Sequence, residues 1–362
     1  MKRTMWKRLC GMLLATTMIA GLTAGCGAKG NESAGGKGGE GEPLNVGLLV
    51  STVGVPALYA QNQGWFEEEG LNVNLVIFPT GAPVNEAIAA KQLDVACSGF
   101  ASVYAMANGD CSWIAEINTT GGMGIYARPD SPIAKASGSV SGKSDMLGSA
   151  ETVKGAKILG PLGTSSQFAT IGYINQLGLS ETDVEQVHME YGPGFQAFVA
   201  GEGDLISISP PYSYDCLDKG YVEVASFEDA TGVELMDGCF ARNAVIESRR
   251  DDVVKFLKVI VRAMDALQDD NVRFDYTIKQ YHENAQEFTD ENMRKEIADR
   301  KYVGTDFIKQ SDYQLGKAMA PISEFLAGQG KITEDKLPNV AKSFDPSLLE
   351  EATGVKVQKF AN

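Results

Sequence analysis

A hydroxyl-rich turn at residues 163–166 is the feature of the sequence best suited to bind a polar group. Gly163 is followed by Thr164, Ser165 and Ser166, after an apolar segment and before a helical pattern. The N-terminus of a helix offers unpaired N–H groups and the positive end of the helix dipole, which suits an anion or a polar head group. A phosphate-binding loop is excluded because no Lys follows the last glycine. The turn therefore predicts ligand-binding hydroxyls or, alternatively, a Ser that only caps the helix.

Four further polar turns follow predicted strands, at residues 51–53, 98–102, 190–194 and 209–213. In an open parallel sheet, such turns lie at the carboxyl ends of the strands, where ligands bind. Two α/β units that face each other would place all five turns around one cleft. The predicted ligand-binding residues are Ser51, Thr52, Gly99, Phe100, Thr164, Ser165, Ser166, Tyr191, Pro211 and Tyr212. For each aromatic residue, packing in the core is the alternative.

Charged residues near the predicted cleft have two interpretations. Arg128 and Arg242 lie close to the points where the chain would cross between the two units, and each could pair with an anionic ligand or form a salt bridge within the protein. Asp237 has the same ambiguity and would instead favour an amine. No Arg or Lys occurs in the five turns, which favours recognition by neutral hydrogen bonds.

Catalytic and metal chemistry finds little support in the sequence. His188 and His282 are the only histidines and neither falls in a polar turn, so a His-based triad or a three-His metal site is excluded. The acidic run at 67–69 is most simply the solvated end of a helix. We therefore predict that the protein is not an enzyme and uses no cofactor.

One order of elements occurs twice in the chain. From residue 44 the pattern is strand, turn, helix, strand, helix, strand, and it returns from residue 156. Residues 81–109 align with residues 192–220, and polar positions such as Ser98 recur in the second copy. The sequence predicts an α/β fold of two lobes, each a mostly parallel sheet flanked by helices.

A helical tail follows the second unit. From residue 248, apolar residues recur at helical spacing on one face. Further helices are predicted near 276–287, 289–300 and 311–327. We expect this tail to pack on the first lobe, which makes that lobe discontinuous.

These patterns define the expected domains. Lobe 1 is predicted to comprise residues 44–122 plus 240–362, and lobe 2 residues 123–239. Hinges are expected at 121–127 and 238–243, where glycines permit backbone rotation.

The first residues have the pattern of an export signal. Basic residues start the chain, an apolar run spans 9–24, and the motif Leu-Thr-Ala-Gly-Cys ends at Cys26. This motif resembles the lipobox of bacterial lipoproteins, in which cleavage leaves the cysteine lipidated. We expect residues 1–25 to be removed, Cys26 to carry the lipid anchor and residues 26–43, which contain seven glycines, to form a flexible tether.

Charge and cysteine content limit the function classes further. After removal of residues 1–25, the chain carries 28 Lys and Arg against 47 Asp and Glu, a net charge of −19, which argues against nucleic acid as a partner. Four cysteines remain besides Cys26, and their spacing matches no zinc pattern. The sequence leaves open whether Cys97, Cys111, Cys216 and Cys239 form disulfides.

The segment from Gly64 to Gly99 carries a family resemblance. Its Gly-Trp-Phe-Glu-Glu-Glu-Gly-Leu run, the following strand and the helix that ends before Asp94 resemble ABC-transporter substrate-binding proteins for nitrate, sulfonates and taurine. This family is similar in fold to binders of the thiamine pyrimidine precursor. One departure is that Lys91 and Gln92 stand where the family usually has Gly before the Asp.

The resemblance implies a two-lobed fold like that of type II periplasmic binding proteins, and a function. We expect a monomeric lipoprotein, anchored at the outer face of the cell membrane, or on its periplasmic side in a Gram-negative source. It would capture a small organic ligand and deliver it to an ABC permease with its ATPase subunits. A sulfonate is the first choice of ligand, and a thiamine-precursor pyrimidine or another planar heterocycle is the second. A sensor for a membrane kinase is an alternative, and an extracellular enzyme is less favoured.

Overall fold

The computed structural model describes residues 41–140, 142–143 and 145–361. The predicted signal peptide, the predicted lipidation site Cys26 and the expected tether up to residue 40 lie outside the described residues. Over the described ranges, no helix is both long and apolar enough to cross a membrane.

Strands and helices alternate through residue 231, and helices dominate afterwards. The strands are β1 Leu44–Leu49, β2 Val73–Phe78, β3 Val95–Ser98, β4 Cys111–Thr119, β5 Gly124–Ala127, β6 Lys157–Gly160, β7 Glu185–His188, β8 Leu205–Ile208, β9 Val222–Ser226, β10 Met236–Arg242, β11 Gln314–Leu315 and β12 Gln358–Lys359. The helices are α1 Val55–Asn62, α2 Trp65–Glu68, α3 Gly81–Ala89, α4 Ser102–Asn108, α5 Pro132–Lys135, α6 Ala150–Val153, α7 Ser165–Gln176, α8 Tyr191–Val199, α9 Tyr212–Asp218, α10 Phe227–Thr231, α11 Asn243–Ser248, α12 Arg250–Ala266, α13 Asp270–Glu283, α14 Asp290–Asp299, α15 Thr305–Ile308, α16 Met319–Gly328, α17 Leu337–Ser343 and α18 Ser347–Thr353. Short 3₁₀ turns lie at Glu181–Asp183 and Glu334–Lys336.

Two five-stranded sheets share one topology. The first sheet has the order β2-β1-β3-β10-β4 and the second the order β7-β6-β8-β5-β9. In each sheet three neighbouring strands are parallel, and the fourth strand in the order runs antiparallel to both of its neighbours. The central strands β3 and β8 are buried throughout, as expected for strands covered by helices on both faces. The predicted α/β fold, with two mostly parallel sheets flanked by helices, is confirmed.

The chain crosses between the sheets twice, and the second crossing differs from the prediction. The first crossing joins β4 to β5 through residues 120–123 and so overlaps the start of the expected hinge at 121–127, whose remaining residues form β5. The second crossing joins β9 to β10 and so precedes the other expected hinge, because residues 238–242 belong to β10 of the first sheet. The predicted end of lobe 2 at residue 239 likewise falls inside this strand.

Gly238, the first residue of the expected hinge at 238–243, packs closely inside the first sheet. A Cβ atom there would come within 2.2 Å of the Ala115 carbonyl oxygen and 2.4 Å of the Trp113 ring. This glycine lets strand and ring approach closely in the first sheet.

The helical tail packs on the first sheet as expected and also contacts the second half. On α12, Val253, Leu257 and Ile260 are buried, and this helix packs against α1 and α18. On α14, the side-chain amide of Asn292 donates to the carboxylates of Asp215 and Asp218 on α9, both at 2.7 Å. The tail therefore ties the two halves together.

The four cysteines left open by the sequence are buried thiols. Cys97 on β3 and Cys239 on β10 lie opposite each other in neighbouring strands, with their sulfur atoms 3.2 Å apart. This separation exceeds the length of an S–S bond, about 2.05 Å. The fold therefore relies on packing at this position.

Glu116 on β4 is a buried carboxyl whose ionisation should lower the stability of the fold. The residue is 1% exposed, its Oε1 accepts a hydrogen bond from the Gly316 N–H at 3.1 Å, and burial raises the pKa of its carboxyl from 4.5 to about 7. Between these values the folded protein binds more protons than the unfolded chain, so the Glu116 contribution to stability falls as the pH rises. Glu116→Gln should remove this loss and raise the free energy of unfolding near neutral pH by on the order of 3 kcal/mol.

Urea unfolding of the wild type and of Glu116→Gln across this pH range checks the prediction. The difference between the two proteins should grow from about pH 4.5 to about pH 7. Glu234→Gln, at an exposed position, is the control. Its free energy of unfolding should change with pH in the same way as that of the wild type. A constant difference for Glu116→Gln would contradict the raised pKa.

Candidate functional site

A cavity of about 310 Å³ lies between the carboxyl ends of the two sheets. Eight of the ten predicted ligand-binding residues line it. They are Ser51, Gly99, Phe100, Thr164, Ser165, Tyr191, Pro211 and Tyr212. They follow β1, β3, β6, β7 and β8, so both sheets contribute their strand ends to the same cavity. Such a volume suits a small organic molecule.

The turn after β6 divides its hydroxyls between structure and cavity. Thr164 caps α7, since its Oγ1 accepts a hydrogen bond from the Ser166 N–H at 3.3 Å and donates to the Pro161 carbonyl at 2.7 Å. Ser166 is buried behind the wall and donates to the Tyr191 hydroxyl at 3.3 Å. Ser165 is half-buried and lines the cavity. The expected alternative of a Ser that caps the helix is wrong, because Thr164 is the capping residue. Ser165 is left as the hydroxyl of this turn that can serve a ligand.

Thr52 is the other predicted residue that does not line the cavity. It is buried, and its hydroxyl accepts a hydrogen bond from Nη1 of Arg300 at 3.3 Å. Its carbonyl accepts one from the Tyr302 hydroxyl at 2.9 Å. Thr52 thus positions residues of the tail against the turn after β1.

Arg300 is the main site residue that the sequence did not reveal. It follows α14, lines the cavity and is 4% exposed. Its Nη2 donates to the Ser209 hydroxyl at 2.9 Å, so one guanidinium bridges turns of both sheets. The five turns contain no Arg or Lys, and the helical tail supplies this one to the cavity.

Two carboxylates compensate the charge of Arg300. Its Nη1 lies 3.8 Å from Oδ2 of Asp237 and 3.9 Å from Oε1 of Glu296. Burial raises the pKa of both carboxyls, and the guanidinium opposes that effect. Asp237 lines the cavity, whereas Glu296 is buried behind Tyr281, whose hydroxyl donates to it at 3.0 Å.

Glu190 is a further cavity carboxylate that the sequence analysis did not single out. It precedes α8, and its Oε1 accepts a hydrogen bond from the Thr80 hydroxyl at 3.3 Å. Thr80 precedes α3 beside the first sheet, so this bond joins the two halves across the cavity.

The aromatic residues of the site serve both as wall and as core. Phe100 is 4% exposed, and its ring centroid lies 5.0 Å from that of Phe168. Tyr212 is half-buried and packs edge to face on Phe288 at 4.8 Å. These rings therefore line the cavity and pack in the core at the same time.

The remaining charged candidates lie away from the cavity. Arg128 donates to the carbonyls of Gly203, Phe198 and Glu202 at the end of α8, and Arg242 pairs with Asp94 at 2.7 Å. Both arginines therefore stabilise the fold. His188 accepts a hydrogen bond from the Leu162 N–H at 3.0 Å, and His282 lies 3.2 Å from Glu287. Among the described side chains, no group of three or more His, Cys, Asp or Glu residues could hold a metal ion.

Comparison with known proteins identifies the family. The model of the NMT1-like family matches residues 37–277. The chain belongs to the NMT1-like family. A relative from Brachyspira hyodysenteriae, provisionally named an ABC transporter periplasmic binding protein, is 30% identical, and the match covers 91% of this chain and 94% of the relative. A provisionally named aliphatic sulfonates-binding protein of Bacillus subtilis is 28% identical over 70% of this chain and 72% of its own length.

Solved structures agree with the fold of this NMT1-like protein. The alkanesulfonate-binding protein SsuA of Xanthomonas axonopodis pv. citri, bound to MOPS, has a TM-score of 0.64 at 17% identity and covers 84% of this chain and 98% of its own. The nitrate-binding protein NrtA of Synechocystis PCC 6803 has a TM-score of 0.65 at 13% identity, and the match covers 88% of this chain and 90% of NrtA. The predicted family and two-lobed binding-protein fold are confirmed. The named relatives are binding proteins, in agreement with the prediction that this chain is not an enzyme.

Proposed function

We propose that this protein is the solute-binding component of an ABC importer, which captures a small organic molecule between its two sheets and delivers it to a permease. The observation that carries the proposal is the shared cavity, to which Ser51 from the first half and Ser165 from the second both contribute. The names of its NMT1-like relatives support the same class of function.

Closure of the two halves would couple solute to permease. Two chain crossings connect the sheets, and we expect the halves to rotate about these crossings while each sheet stays rigid. The hydrogen bond between Thr80 and Glu190 is available only when the halves are close. A solute that contacts both halves would favour this closed form, which the permease can distinguish from an open one.

A thermal-shift panel tests the binding function. The panel contains nitrate, taurine, butanesulfonate, aminopyrimidines, carboxylates and alkylammonium ions. A compound that binds only the native state raises the melting temperature by mass action. We expect at least one compound to do so. Ser165→Ala should lower the affinity for that compound about tenfold, because a hydrogen bond from the cavity wall is lost.

Ser248→Ala is the matched control for this variant. Ser248 is exposed at the end of α11, and its hydroxyl donates to the Ala244 carbonyl far along the chain from the cavity turns. Its replacement should leave the thermal shift unchanged. A panel without any hit, or a hit that Ser165→Ala and Ser248→Ala affect equally, would contradict the proposed site.

The proposed localisation depends on Cys26 at the end of the lipobox-like motif. We propose that its lipid holds the protein at the outer face of the membrane, since two or more acyl chains anchor stably. In cells grown with a labelled fatty acid, the wild type should carry label in the membrane fraction. Cys26→Ser should lose the label and the membrane association, and retention of both would refute the anchor.

A further inference from the structure

The charges that line the cavity are unequal. Glu190 and Asp237 contribute carboxylates, and Arg300 contributes one guanidinium. Lys and His are absent among the described residues of the lining. The formal charge of the wall is therefore negative.

The guanidinium of Arg300 is already compensated from within the protein. It lies within 4 Å of carboxylate oxygens of Asp237 and Glu296 and donates to the hydroxyls of Thr52 and Ser209. Glu190 stands apart from this cluster as the residue that precedes α8, where its carboxylate already lies at the positive end of that helix. The formal charges of Asp237, Glu296 and Arg300 sum to −1, and Glu190 adds a second negative charge. A bound anion would therefore meet a negative wall whose cation is already paired.

Two buried oxygen atoms in the wall, one hydroxyl and one carboxylate oxygen, lack hydrogen-bond partners. The hydroxyl oxygen of Ser98, a residue that is 1% exposed, has no hydrogen-bond partner among the described residues, and neither has Oε2 of Glu190. Both residues line the cavity. Buried oxygens of this kind normally find a donor, because leaving them unpaired costs free energy.

Aromatic rings complete the wall. Phe100, Tyr191, Tyr212 and Tyr281 line the cavity with the carboxylates. The face of an aromatic ring attracts a cation, and the combination of rings with carboxylates is typical of sites for organic ammonium groups.

We propose that the cavity recognises its solute by a positively charged nitrogen group, which Asp237 and Glu190 hold between the aromatic rings. This inference rests on the proposed function and names the chemical class of the solute. It departs from the first-choice ligand of the sequence analysis, since a sulfonate would place a second anion beside these carboxylates. The nitrogen group supplies the donor that Oε2 of Glu190 lacks, and the Ser98 hydroxyl can accept a second hydrogen bond from it.

Matched compounds test the proposal by titration calorimetry on the full-length protein. Phenethylammonium, 2-phenylethanesulfonate and 2-phenylethanol share a body and differ in the charge of the head, and butylammonium and butanesulfonate form a second, smaller set. We expect each ammonium ion to bind at least about tenfold more tightly than its sulfonate or alcohol counterpart, as the loss of a charged hydrogen bond predicts.

Three variants assign the effect to the wall. Glu190→Gln and Asp237→Asn should each lower the affinity for the ammonium ions about tenfold or more. Each should also reduce the difference in affinity between ammonium ions and sulfonates. Glu202→Gln, near the opposite end of the same helix as Glu190 and exposed, should leave both affinities unchanged. Glu190 is half-buried, so its variant keeps the test valid if Asp237→Asn fails to fold.

The outcomes separate this inference from the proposed function. A sulfonate or the alcohol that binds more tightly than its ammonium partner overturns the inference and leaves the binding function intact. The same holds if neither ammonium ion binds while another compound of the thermal-shift panel does. If no compound of the two sets and no compound of the thermal-shift panel binds, both proposals fail.

Discussion

Arg300→Met will lower the free energy of unfolding by about 3 to 5 kcal/mol, because it leaves two buried carboxylates without their cation. Asp237 and Glu296 both lie within 4 Å of the Arg300 guanidinium, and the hydroxyls of Thr52 and Ser209 lose their donor. Methionine has a similar length, so the loss reports the charge and the hydrogen bonds rather than an empty volume. Urea unfolding monitored by circular dichroism gives the measurement.

Lys258→Met is the matched control for Arg300→Met. Lys258 pairs with Glu69 at 2.7 Å, but its side chain is 56% exposed, so its removal should cost less than about 1 kcal/mol. The deficit of Arg300→Met should also shrink as the pH is lowered, since burial favours the protonated forms of Asp237 and Glu296. Equal losses for the two variants would contradict the assigned role of Arg300.

Phe168→Ala should destabilise the protein by about 3 to 5 kcal/mol, as expected for an aromatic ring removed from a packed core. Phe168 is 1% exposed on α7 of the second half. Its ring packs on Phe100 beside the first sheet, with the ring centroids 5.0 Å apart, and on Phe325 of the tail, with the ring centroids 4.2 Å apart. One side chain therefore joins the two halves and the tail, and thermal and urea unfolding measure its loss.

The same variant should also weaken solute binding, because Phe100 loses the ring that supports it in the cavity wall. Phe168→Leu should restore most of the stability, since it leaves a smaller cavity. Leu217→Ala serves as the control, because Leu217 is 47% exposed and its truncation should change stability by less than about 0.5 kcal/mol. A loss at Phe168 no larger than that at Leu217 would refute the shared core.

Much of the fold follows from local sequence patterns. The repeated order of elements predicted two sheets, and the constant offset between residues 81–109 and 192–220 corresponds to equivalent segments. Both contain a helix, a buried strand and a second helix that ends before a glycine, Gly109 in one and Gly220 in the other. These features are local in the chain and so are visible in hydrophobic periodicity and glycine placement.

Features that depend on contacts across the chain were not predictable in this way. The segment 190–194 contains two glycines and a proline and was expected to be a turn, yet α8 begins at Tyr191. A proline is tolerated in the first turn of a helix, where the N–H groups lack intrahelical partners, and Gly192 lies in the same turn. The start of β10 was missed because its register depends on pairing with β3 and β4.

The chemistry of the site shows the same division. Hydroxyls and rings at strand ends could be assigned from the sequence, because strand ends of a parallel sheet meet at one edge. Arg300 lies more than 60 residues beyond the second sheet's last strand and carries no motif, so its place beside Thr52 and Ser209 follows only from the packing of the tail. Glu190 was overlooked because a single carboxylate before a helix is usually solvated.

Equilibrium dialysis of wild type and Ser51→Trp against the thermal-shift panel tests the central claim most directly. Ser51 lines the cavity and is half-buried, so an indole at this position would fill the space between the sheets. The account predicts that one compound binds the wild type in a one-to-one ratio and that Ser51→Trp, with its fold verified by circular dichroism, does not retain it. A compound retained equally by both proteins would show that the solute binds elsewhere and would contradict the account.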